Sequence, residues 1–132
     1  MERTINNTLL YSEIKSEESS FRDSSGFIFR YNGQLYRYVS TSYKENLDIF
    51  IDSGLYDKLS IANLLLPFTI EESFKLEDSY KILKPEFIEH ISYPYEWCFS
   101  QLKDAALVTL DIAKTAIDYG MTLKDATCYN IQ

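Results

Sequence analysis

The chain has 132 residues, 13 Lys and Arg against 20 Asp and Glu, and a formal net charge of −7; 45% of it is hydrophobic and 15% aromatic. That negative balance excludes a nucleic-acid surface, which needs clustered cations to displace counterions from phosphates. Disorder is excluded too, since 11 Tyr and 8 Phe supply enough apolar area to drive collapse.

Residues 1–25 are polar, with turn chemistry at Ser16–Ser20 and Asp23–Ser25. They read as a flexible or loosely docked segment ahead of one α+β domain spanning 26–132. Phe27–Tyr31 and Gln34–Val39 flank Asn32-Gly33, which calls for a type I′ hairpin because both turn residues accept positive φ. A two-residue turn sets Tyr31 opposite Gln34, Phe29 opposite Tyr36 and Phe27 opposite Tyr38, so one face carries all five aromatics. That face is expected to pack on a helix.

Leu47, Phe50, Ile51, Gly54, Leu55 and Leu59 then follow helical spacing, predicting one helix of about 17 residues, or two if Ser53-Gly54 breaks it. Thr41 or Ser42 would cap it, with Glu45 completing a capping box. Phe68–Ile70, Tyr80–Lys84 and Phe87–Ile91 read as further strands, the first two separated by an acidic, solvated insert, and His90 lies on the last. From Trp97 to Tyr119 the apolar spacing predicts a long, mostly buried helix, with Gly120 at its left-handed C-cap. The fold class is α+β: an antiparallel sheet of four or more strands with a packed helix, then a long C-terminal helix.

No apolar run approaches the ~20 residues of a membrane span, and Met1–Asn7 lacks the core of a secretory signal. Cys98, Cys128 and the single His90 are too few for a four-ligand zinc site and point to free thiols in a cytoplasmic protein. Four glycines (26, 33, 54, 120) cannot write a GxGxxG or phosphate-binding loop, so no cofactor or metal site is expected in this chain.

Ile91–Leu107 and Gly120–Gln132 together resemble the N-terminal region of proteins related to the nodulation protein NoeA, labelled class I S-adenosylmethionine-dependent methyltransferases. Arg22–Phe29 and Ser53–Asp57 extend the likeness to roughly residues 21–132. The resemblance implies the front part of a longer protein, with S-adenosylmethionine bound elsewhere in it. It further implies a non-catalytic module for substrate presentation or intramolecular docking, whose partner is the remainder of its own chain.

Asp125 and Asn130 form Asp-x-x-x-x-Asn, and this loop resembles the catalytic loop of protein-kinase-like phosphotransferases. There the Asp orients the attacking hydroxyl and the Asn holds Mg²⁺. The order of elements fits a kinase-like N-lobe followed by that loop. However, Leu123-Lys124 replaces His-Arg, the hairpin offers Arg30 and Arg37 instead of a strand lysine, and the glycine-rich loop is missing. Local capping by Asp125 and Asn130 is the simpler role. A third reading is a protein-interaction domain that uses the aromatic hairpin face.

Overall fold

A computed structural model describes residues 7–18, 20 and 23–132. Met1–Asn6, Ser19, Phe21 and Arg22 lie outside them, and with them part of the turn chemistry read at Ser16–Ser20. Two units are distinguished. One comprises the described residues up to Asp48 together with Leu66–Phe87; the other comprises Ile49–Leu65 and Ile88–Gln132.

The first unit is built on the hairpin. Asn32 (φ 49°) and Gly33 (φ 77°) both occupy the left-handed region that a type I′ turn demands. Strands β3 (Gly26–Tyr31) and β4 (Gln34–Ser40) pair in the register anticipated from the turn. Short segments β1 (Thr8–Leu9) and β2 (Lys15–Ser16) precede them. After the helical segment come β5 (Phe68–Glu71), β6 (Lys75–Leu76) and β7 (Ser79–Pro85). The main sheet is antiparallel throughout, in the order β2-β3-β4-β7-β5.

The aromatic face is closed by strands and not, as expected, by a helix. β1 and β6 pair in parallel as a two-stranded sheet, and Leu9, Phe74 and Leu76 join Phe29, Tyr36, Tyr38 and Ile82 in one buried cluster. Phe29 is 0% exposed. Its ring stacks on Tyr36 at 5.6 Å, and Phe74 meets Tyr36 edge-on at 5.1 Å, arrangements that the ring quadrupole favours. The supposed solvated insert thus contributes two core residues, Phe74 and Leu76, while its carboxylates stay outside.

At the far end of the hairpin, a Cβ on Gly26 would lie 2.1 Å from the Tyr38 carbonyl oxygen, so only glycine fits opposite Val39.

No strand forms at Phe87–Ile91. β7 already has a partner on each side, and the Glu86 amide closes the ladder by donating to the Pro67 carbonyl at 2.8 Å. Beyond it Phe87 and Ile91 are exposed, and His90 stands on an irregular segment.

The predicted 17-residue helix is two: α1 (Lys44–Asp52) and α2 (Leu55–Ile61), separated at Gly54 (φ 85°). The N-terminal cap is Ser40, whose Oγ accepts from the Ser42 amide as the chain enters a 3₁₀ turn before α1. That turn displaces the capping position expected at Thr41 or Ser42.

In the second unit, α2 and α3 (Phe99–Asp118) end alike. The Leu64 amide donates to the Leu59 carbonyl and the Asn63 amide to that of Ser60; Met121 donates to Ala116 and Gly120 to Ile117. With Asn63 (φ 54°) and Gly120 (φ 72°) left-handed, both are Schellman motifs. The residues beyond each turn, Leu64 and Met121, pack in the cluster of Leu55, Leu59 and Ala116, together with Ile112 and Tyr119.

α3 is not mostly buried. Ala105 and Ala116 are its only buried residues, whereas Phe99 is 81%, Leu110 64% and Ile117 68% exposed. Its buried side is narrow, because Ala105, Ile112, Ala116 and the following Tyr119 fall on one flank of the helix, and the second apolar row lies about 100° around the axis.

Candidate functional site

The candidate catalytic pair sits in the segment released by the Gly120 turn. Asp125 Oδ1 accepts the Thr127 amide at 3.1 Å, and the Asn130 side-chain amide donates to the Asp125 carbonyl at 3.5 Å. Asn130 closes a 3₁₀ turn at Cys128–Asn130. Asp125 thus lies just ahead of the turn that holds Asn130, linked to it by local bonds, and both residues are exposed. The Thr127 amide first, then the Asn130 side chain, hold the Asp125 carboxyl below its ordinary range. A carboxylate so stabilised is a weak proton acceptor but a fixed anionic acceptor that can orient a hydroxyl or a cation.

The strand cations are engaged nearby in sequence. Arg30 pairs with Glu17 at 2.5 Å, and Arg37 with Asp23 at 2.8 Å. On α1, Asp48 accepts from Lys44 Nζ and from the Tyr80 hydroxyl, each at 2.5 Å. Those bonds, Lys44 first, lower the Asp48 pKa, and the bond to Asp48 raises that of Tyr80. Among the described residues no group of three His, Cys, Asp or Glu could hold a metal ion, and no helix is long and apolar enough to cross a membrane. Cys98 and Cys128 are unpaired.

Sequence reasoning missed a clamp in the second unit. Gln132 bonds both backbone groups of Ser92: its Oε1 accepts from the Ser92 amide at 2.9 Å and its Nε2 donates to the Ser92 carbonyl at 2.8 Å. The indole N–H of Trp97 donates to Ser92 Oγ at 2.8 Å. These groups border a cavity of about 240 Å³ that Asp104 and Val108 also line. No local signal marks a pairing 40 residues apart, so only the fold reveals it. On the aromatic hairpin face Phe29, Tyr36 and Tyr38 are buried and Phe27 and Tyr31 half-buried, which counts against the reading in which that face binds a partner.

No family model matches the chain, and no solved structure matches it. Among curated proteins it is 32% identical over 120 residues to "Nodulation protein NoeA" of Rhizobium meliloti (strain 1021). That similarity covers 86% of this chain and 24% of the relative, so the chain spans about a quarter of that protein's length.

Proposed function

We propose that this chain is a non-catalytic N-terminal module of a larger NoeA-like protein of the methyltransferase class, serving substrate presentation or intramolecular docking in the cytoplasm. The observation that carries this reading is the lopsided similarity: most of this chain matches only 24% of NoeA. The want of any glycine-rich donor loop here is in keeping with a methyl-donor site elsewhere in the protein. Two unpaired cysteines are in keeping with a reducing compartment. Calorimetric titration with S-adenosylmethionine tests the reading. The polypeptide of the full reading frame should bind it and residues 1–132 alone should not; binding by the short chain would refute the assignment.

A second reading is favoured by one specific observation. A five-stranded antiparallel sheet with helices inserted after β4, then a long helix, then Asp125 and Asn130 joined by a local bond, follows the element order of a kinase-like phosphotransferase. In that reading Asp125 orients the attacking hydroxyl and Asn130 holds Mg²⁺. The full polypeptide should then show a thermal shift with ATP and Mg²⁺ that Asp125→Ala abolishes. Absence of any nucleotide-dependent shift sinks it.

A further inference from the structure

α3 carries two apolar rows. The inner one, through Ala105, Ile112 and Ala116, contributes Ile112 and Ala116 to the α2 cluster. The outer one runs through Phe99, Leu102, Ala106, Leu110, Ala113 and Ile117, at i, i+3, i+7, i+11, i+14 and i+18. That is the spacing of one continuous ridge on an α-helix, sustained over five turns and about 27 Å. Leu102 is 41% exposed and the other large members more so, from 64% to 81%. Isolated exposed leucines need no explanation, but a contiguous ridge of this length marks an interaction surface.

The flank of the ridge identifies its occupant. Lys103 and Lys114, both exposed, stand 11 positions apart on the same side of the row. An antiparallel copy centred on the ridge would set Lys103 against Lys114 twice over, because 103 + 114 = 217 lies at the ridge midpoint, (99 + 117)/2 = 108, doubled to within one residue. Like charges facing each other across a helix pair oppose that arrangement. A helix with an aliphatic row and carboxylates beside it meets both the ridge and the lysines. The relative provides the source: three quarters of its length lies outside the region that this chain matches.

We infer that the outer face of α3 seats an amphipathic helix, aliphatic along its row and acidic along one flank, supplied by the remaining polypeptide of the same protein. This deepens the docking reading above and rests on it.

The test compares melting temperatures of two molecules carrying the same substitutions. In the polypeptide of the full reading frame, Leu110→Lys and Ile117→Lys should each lower the melting temperature by roughly 2 °C or more. In residues 1–132 the same changes should leave it unaltered, since both side chains already face water. Lys103→Glu with Lys114→Glu should lower it in the long molecule only. An equal loss in both molecules would assign the ridge to the folding of this chain itself, and no loss in either would leave it without an internal partner; each overturns the inference. So would a dimer of residues 1–132 in analytical ultracentrifugation that Leu110→Lys dissociates. S-adenosylmethionine binding by the long molecule is read separately. Its failure refutes the methyltransferase assignment alone, while the contrast in melting temperature decides the docking.

Discussion

Gly26 is fixed by a neighbour rather than by its own backbone. Its φ is ordinary, but the Tyr38 carbonyl oxygen occupies the space a methyl group would take. Gly26→Ala should therefore force the β3–β4 pair apart and cost about 1–3 kcal/mol in urea unfolding. Tyr38 itself sits beneath that contact, its hydroxyl donating to the Asp78 carbonyl at 3.0 Å. Burial above all, with the Tyr11 hydroxyl nearby, pushes its pKa up to about 12. A phenol that ionises near 10 in the unfolded chain and near 12 in the folded one contributes stability in full below pH 10. That contribution is lost as pH rises through 12. The wild-type stability should fall more steeply than that of Tyr38→Phe between pH 10 and 12, measured by denaturant titration. Residues of this kind were half legible. The aromatic alternation around Asn32-Gly33 announces the face, whereas the Gly26 contact and the Ser92–Gln132 clamp depend on positions brought together only by folding. Asp125 and Asn130 are legible as a spacing; the local bond between them is not.

At the scale of elements, local stop and turn chemistry was the readable part. Gly120 and Asn32-Gly33 take the positive φ that their contexts require. Gly120→Ala should cost roughly 1–2 kcal/mol, because a Cβ is strained in the left-handed region even with open space around it. Thermal unfolding of the second unit would register it. The strand expected at Phe87–Ile91 did not form because pairing partners, not residue preference, limit a sheet; β4 and β5 leave β7 no free side. The opposite happened at Lys75–Leu76. Two residues are too few for a periodic signal, yet Phe74 and Leu76 are buried to 5% and 1% exposure. Phe74→Ala should accordingly cost about 3–5 kcal/mol by cavity formation and loss of its contacts with Tyr31 and Tyr36. The apolar spacing of α3 is plain in the sequence, but spacing does not say how much of the apolar face this chain covers, and most of it stays exposed.

Across the whole molecule, the parallel pairing of β1 with β6 bears on the order in which the protein can assemble. Leu9 leaves the ribosome 76 − 9 = 67 residues ahead of Leu76, its register neighbour. During that interval the hairpin has been made and its rings stand uncovered, since Phe74 and Leu76 do not yet exist. Local contacts in the hairpin can form at once, but closing so long a loop comes later and slowly. The first described strand to be synthesised is thus among the last to be seated. Until then the nascent chain offers its stacked aromatic rings to water, to chaperones, and to other nascent copies of itself.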